Sequence, residues 1–246
     1  MDPSGKLVIV SGGLGSIGSS LADSLAEIGA RIAVLDIHEA TSASPTPPHP
    51  IYHVDLADEH SVASVLEDLV RDLGEPAILV NCAGLIHSEP LVNITNPNQR
   101  HHSRETWDAV LRSNLTATFN LSSQVAERMV MKRIRGLVIN FSSISAQGNP
   151  GQSAYAAAKA GVEALTKVWA RELGPFGIRS VAIAPGFIAT SSTEAALTKE
   201  AIADLKRRTP LMRLGTTEEI FSAVRFAIEN DYLTGTTIAI NGGLAL

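Results

Sequence analysis

Tyr155 and Lys159 stand four residues apart in the run Tyr155-Ala156-Ala157-Ala158-Lys159, and Ser142 precedes the tyrosine by thirteen residues. On a helix, positions i and i+4 share one face, so this phenol and ammonium can address a single substrate. A free tyrosine has a pKa of about 10, too high for an efficient base near neutral pH. A cation held beside it favours the phenolate and lowers that value. The spacing therefore suits proton transfer to or from a substrate oxygen. Ordinary Ala-rich helices also carry such pairs, so its meaning depends on the rest of the chain.

A second constellation lies near the N-terminus. Gly12, Gly13, Gly15 and Gly18 follow the apolar run Lys6 to Ser11 and open a helical stretch from Ile17 to Ile28. Glycines in a strand-turn-helix context let the backbone turn tightly, approach a pyrophosphate and present amides at a helix N-terminus. Asp36 ends the next strand-like run, Arg31 to Asp36, eighteen residues after Gly18. From there a carboxylate can bind the adenosine ribose hydroxyls and repel a 2′-phosphate. Neither Gly13 to Ile17 nor Ile37 supplies a basic side chain for that phosphate. NAD is therefore expected over NADP.

The elements that must position these groups alternate along the chain. Further strands are expected at Ile51 to Val54, Ala77 to Asn81, Leu137 to Phe141, Arg179 to Ala184 and Thr236 to Ile240. Val62, Val65, Leu66, Leu69, Val70 and Leu73 form an amphipathic helical stripe,. Longer helical stretches fall near 104–133, 153–174 and 217–229, the last with a capping box from Thr216 and Glu219,. Repeated β-α-β units predict a single α/β domain over residues 1–246, a doubly wound parallel seven-stranded sheet with helices on both faces. Two segments break the rhythm. Thr41 to Pro50 contains four prolines and predicts an extended loop, and polar Asn93 to Ser103 predicts a surface loop or lid,.

Composition excludes several function classes. Net charge is −5 with scattered basic residues, against a nucleic-acid or anionic-membrane partner,. No apolar stretch approaches the roughly 18 residues of a membrane span, and the N-terminus lacks a signal-peptide layout. The single cysteine, Cys82, excludes an internal disulfide and suits a reducing compartment,. A cytoplasmic protein is expected. His87 reads as a surface loop residue. His101 and His102 are adjacent without a carboxylate or cysteine pattern, so no metal site is expected,.

Together these features resemble the compact, single-domain branch of the short-chain dehydrogenase/reductase family. The resemblance runs through the Ser11–Gly18 turn, Asp55, Asn81-Cys82-Ala83-Gly84, Asn114, Ser142, Tyr155 with Lys159, Pro185-Gly186 with Thr190, and Asn241-Gly242-Gly243. It implies a Rossmann fold whose dinucleotide is held by Gly12, Gly15, Ser16, Ile17, Gly18, Asp36, Ile37, Asp55, Leu56, Asn81, Ala83, Gly84, Tyr155, Lys159, Pro185, Gly186, Ile188 and Thr190. It also implies catalysis by Asn114, Ser142, Tyr155 and Lys159. Tyr155 would take the alcohol proton while hydride leaves the same carbon. Lys159 would lower the tyrosine pKa and bind the nicotinamide ribose, Ser142 would donate to the substrate oxygen, and Asn114 would interrupt its helix and hold a relay water. Ser143 is adjacent to Ser142, and the family's thirteen-residue spacing selects Ser142. Cys82 stands where Asn is common and reads as a small buried filler.

Two departures matter. Ser16 occupies a usual glycine place in the turn, giving Gly12-x-x-Gly15-x-x-Gly18, a spacing that resembles the family's extended branch. From Asn114 onward the chain is most similar to 3-oxoacyl-(acyl-carrier-protein) reductases, yet Phe176 stands where their second carrier-binding basic residue would follow Arg133. Those enzymes usually use NADP, against Asp36. The leading expectation is an NAD-dependent oxidoreductase interconverting a neutral or weakly polar secondary alcohol and its ketone, its direction left open by the sequence and tilted toward oxidation by NAD. Alternatives are 3-oxoacyl-thioester reduction and a non-catalytic dinucleotide-binding scaffold. The resemblance further implies a homotetramer, or a dimer, paired through the 104–133 and 153–174 helices. The small-residue face Ala156, Ala160, Ala164 and Val168 would permit that packing or could lie on the sheet.

Overall fold

The computed structural model describes residues 1–39 and 48–246. Seven strands, β1 (Leu7–Ser11), β2 (Arg31–Asp36), β3 (Ile51–His53), β4 (Pro76–Asn81), β5 (Leu137–Phe141), β6 (Arg179–Pro185) and β7 (Thr236–Ile240), form one sheet. Their order is β3-β2-β1-β4-β5-β6-β7, and every neighbouring pair is parallel. The order reverses between β1 and β4, and in such sheets ligands bind at the carboxyl ends of the strands flanking that reversal. There the paired residues are Ser11 with Asn81 and Asn81 with Asn140.

Strand alternation sends successive side chains to opposite faces, and here both faces are covered. Val8, Val10, Ile32, Val34, Ile78 and Val80 pack under helices α1 (Ser16–Glu27) and α8 (Thr217–Glu229). Leu7, Ile9, Ala33, Leu35, Leu79 and Val138 pack under α2 (Glu59–Leu73), α4 (Ala117–Met131) and α5 (Ser153–Leu173). This double burial explains strands that read as unbroken apolar runs. The expected capping box closes α8: Glu219 N–H donates to Thr216 Oγ1 and Thr216 N–H to Glu219 Oε2.

The expected 104–133 helix is divided into α3 (Arg104–Leu111) and α4 by a π-turn at Arg112–Thr116, with Asn114 at its centre. Residues 191–208 form two helices that the sequence pattern left unassigned, α6 (Ser191–Ala196) and α7 (Lys199–Arg208). The proline-rich crossover lies outside the described residues up to Pro47. Residues 93–103 form a loop without helix or strand, pinned where Val92 bridges His101 and Asn93 N–H donates to the Arg100 carbonyl at 2.7 Å. Among the described residues, no helix is long and apolar enough to cross a membrane.

Candidate active site

A cavity of about 660 Å³ opens at the carboxyl ends of β1, β4, β5 and β6. Gly12, Gly15, Ser16, Ile17 and Gly18 line it together with Gly84, Asn114, Ser142, Tyr155, Lys159, Pro185, Gly186, Ile188 and Thr190. Gly12 has φ +66°, and a Cβ there would lie 2.6 Å from the Ala83 Cα. The turn is therefore a cradle that only glycine leaves open against the neighbouring strand end. Ser11 Oγ fixes that strand end by accepting from the Cys82 and Ala83 amides at 3.2 Å. These walls fit a dinucleotide.

Other expected cofactor residues lie outside the cavity lining. Asp36 is buried, accepting Leu14 N–H on Oδ2 and His38 N–H on Oδ1, both at 3.0 Å. Its carboxylate thus orders the glycine turn from within. Ile37 is exposed, Leu56 is buried in the core, and Asp55 pairs with Arg112 at 2.8 Å. The Asn81 side chain is buried outside the cavity lining. It donates at 2.8 Å to Ser122 Oγ and to Asn140 Oδ1, and Asn140 in turn donates to Thr166 Oγ1 at 2.9 Å. This buried polar chain fastens β4 and β5 to α4 and α5. Hydrogen bonding inside the sheet–helix layer, which spacing does not reveal, accounts for its position.

The two catalytic candidates on α5 both point inward, buried, with Lys159 Nζ 5.6 Å from the Tyr155 ring centroid. Lys159 Nζ donates to the Phe141 carbonyl at 2.8 Å. Burial pushes the Tyr155 phenol up to about 12, hydrogen bonding from Ser143 opposes that rise, and Cys82 adds to it. Burial pushes Lys159 down to about 8. The lowering expected from Lys159 and the oxidised nicotinamide is opposed by burial of the phenol. Both groups are desolvated, and desolvation disfavours the charged form of each. Burial likewise pushes the Cys82 thiol up to about 12, so it stays protonated, although the residue is only half-buried and lines the cavity.

The serine selected by spacing, Ser142, lines the cavity and is also engaged by α5. Ser142 Oγ donates to Glu163 Oε1 at 2.8 Å and lies 3.3 Å from the Lys159 carbonyl oxygen. Ser143 is the hydroxyl whose hydrogen bonding favours the Tyr155 phenolate. It also accepts Ser145 N–H, capping the short 3₁₀ turn Ile144–Gln147. Ser142 thus engages Glu163 while Ser143 lies on the Tyr155 side, two helical turns away on α5.

Asn114 is fully buried in the π-turn. Its Nδ2 donates to the Leu85 carbonyl at 2.8 Å and the Val110 carbonyl at 2.9 Å. Its Oδ1 has no hydrogen-bond partner among the described residues. A Cβ on Gly84 would collide with that oxygen and lie 3.5 Å from Lys159 Nζ. Gly84 thus keeps the space between the amide oxygen and the ammonium open.

The family model described as enoyl-(acyl carrier protein) reductase matches residues 12–245. The chain is also 36% identical to 3-oxoacyl-(acyl-carrier-protein) reductase FabG of Haemophilus influenzae, covering 98% of this chain and 99% of that one. This chain belongs to the short-chain dehydrogenase/reductase family. Within that family it is 33% identical to the human (3R)-3-hydroxyacyl-CoA dehydrogenase, covering 97% and 95% of the two chains. A solved structure of 4-hydroxyisoleucine dehydrogenase complexed with NADH matches with a TM-score of 0.86 at 28% identity, over 97% and 98% of the chains. The protein is accordingly an oxidoreductase, with the family's seven-stranded sheet.

Leu85 and Ile86, just after β4, are wall residues of this short-chain dehydrogenase that sequence reasoning missed. Leu85, Ile86, Ser88 and Gln152 line one side of the cavity, and Phe187, Thr193 and Leu197 line the other. Gln152 Nε2 donates to Ser88 Oγ at 3.1 Å, and Glu89 N–H donates to the Gly151 carbonyl, joining the loop after β4 to the start of α5. His87 and His102 lie 3.6 Å and 3.7 Å from Glu89 Oε2, outside the cavity lining. Loop residues carry no periodic signal, so only the fold brings them to the site.

Proposed function

We propose that this chain is an NAD-dependent dehydrogenase that interconverts a neutral secondary alcohol and its ketone. One observation carries the reading: Tyr155, Ser143 and Lys159 converge in a cavity where, among the described residues, Lys159 is the sole charged side chain. A neutral substrate suits such a wall, because a charged one would be desolvated without a partner.

Bound NAD supplies the hydride acceptor. The glycine turn would hold the pyrophosphate, Asp36 the adenosine ribose, and Pro185 to Thr190 the nicotinamide side. Tyr155 takes the hydroxyl proton in oxidation and returns it in reduction. Ser143 donates to the substrate oxygen. The Lys159 ammonium binds the nicotinamide ribose, and Asn114 Oδ1 accepts from a water serving Lys159. With an oxidised nicotinamide bound, its positive charge would favour the Tyr155 phenolate.

A second reading, reduction of a 3-oxoacyl thioester, is supported by the names of the 36% identical relatives. Phe176, exposed at the end of α5, weakens a carrier-protein version of it. Fluorescence titration with NADH and NADPH, paired with turnover of cyclohexanol and of acetoacetyl-CoA, separates the two. NADH preference with alcohol oxidation supports the first reading, and NADPH preference with thioester reduction supports the second. Binding of neither dinucleotide would leave a non-catalytic scaffold.

Assembly belongs to the same proposal. Ala160, Ala164 and Val168 lie exposed on α5 rather than against the sheet, as does Phe119 on α4. We place a second copy of the chain on this face, in a cytoplasmic homotetramer or dimer. Light scattering of the wild type and of Ala164→Arg tests it, since a charge there would break the assembly.

A further inference from the structure

We infer that Ser142 and Glu163 form a positioning pair, whose hydrogen bond holds the end of β5 so that the following hydroxyl, Ser143, meets the Tyr155 phenol. The inference rests on the Tyr155 chemistry proposed above.

Tyr155, Lys159 and Glu163 follow one another at four-residue steps on α5 and share one face of it,. Each engages the end of β5. Tyr155 lines the same cavity wall as Ser143, Lys159 Nζ takes the Phe141 carbonyl at 2.8 Å, and Glu163 Oε1 takes the Ser142 hydroxyl at 2.8 Å. Ser142 N–H donates to the Ile183 carbonyl, so its backbone is held by β6 as well. The Ser142 side chain reaches the cavity wall, yet its single hydroxyl proton is committed to a carboxylate. Bonds to an ionised acceptor are roughly twice as strong as neutral ones, and a substrate oxygen would have to displace it. The adjacent Ser143 is thereby left as the available donor. Two consecutive serines are interchangeable by spacing, and Glu163 makes them unequal.

The test measures NADH binding, melting temperature, and kcat and KM for cyclohexanol oxidation and acetoacetyl-CoA reduction. The variants are Tyr155→Phe, Ser142→Ala, Ser142→Thr, Glu163→Ala, Glu163→Gln and the Ser142→Ala/Glu163→Ala double. Ser142→Ala and Glu163→Ala are each expected to lower kcat about tenfold, the worth of one hydrogen bond. Dinucleotide Kd should stay unchanged, and the double should be no worse than either single. Glu163→Gln, whose amide oxygen can still accept, should recover most of that kcat, and Ser142→Thr should do the same on the serine side. An unchanged kcat in Glu163→Ala overturns the pair. So does additive loss in the double, or a Gln variant as poor as Ala. If Glu163→Ala does not fold, Ser142→Ala against Ser142→Thr decides by the same kcat readout. Activity surviving in Tyr155→Phe overturns the proposed function instead, as does a wild type that turns over neither probe.

Discussion

Lys159 Nζ sits 5.6 Å from the centre of the Tyr155 ring and spends a hydrogen bond on the Phe141 carbonyl. The two groups share a helix face, yet neither neutralises the other's burial cost. Tyr155 is pushed up to about 12 and Lys159 down to about 8. A positive charge bound beside the phenol would favour the phenolate that burial disfavours.

Dinucleotide affinity should therefore depend on pH. The Lys159 ammonium is retained below about 8 and lost above it. NADH binding should be flat on the acid side and weaken on the alkaline side, by at most about tenfold per pH unit for a single proton. Stability moves the other way. From about 8 to the ordinary 10.5, the unfolded chain holds a proton that the folded chain sheds, so this group's contribution rises with pH,. Fluorescence titrations at several pH values check the first, and denaturant midpoints of wild type and Lys159→Met check the second.

Tyr155→Phe removes the proton carrier while keeping the ring. Turnover should fall by about 10²–10⁴, with NADH affinity nearly unchanged. Steady-state kinetics beside a binding titration distinguish this from a folding defect.

Ser143→Ala should cost more than Ser142→Ala. The first removes the donor to the reacting oxygen, worth about 10²-fold in transition-state stabilisation, and the second only its positioning. Equal losses, or a reversed order, would return the role to Ser142. Parallel kcat measurements decide.

Asp36→Ala should erode the preference for NADH over NADPH, by about tenfold if one good hydrogen bond is lost. It also removes the acceptor of Leu14 N–H, so the melting temperature should drop even without ligand. Retained NADH selectivity would move the discriminating contact elsewhere.

Gly84→Ala should destabilise the site, since its methyl would collide with Asn114 Oδ1 beside Lys159. Overpacking of this kind costs about 1–3 kcal/mol. Lower turnover with a lowered melting temperature is expected, and a variant identical to wild type would remove Gly84 from the argument.

Much of this was legible from residue order alone. Apolar runs separated by amphipathic stripes specified the strands and helices, because a parallel sheet buried on both faces needs uniform apolar strands. The glycine turn and the Tyr155–Lys159 step were readable because each depends on backbone conformation or helix periodicity. What the chain order could not supply depended on which atoms meet across elements. Ser142 and Ser143 are equivalent by spacing, and Glu163, reaching from α5 to β5, separates them. Asn81 belongs to a motif next to the cofactor turn, yet its amide faces Ser122 and Asn140 in the layer behind. The pKa of Tyr155 likewise follows from burial, which outweighs the neighbouring ammonium. Local periodicity determines which face a side chain shares, and only tertiary packing decides what water it loses and which partner it gains.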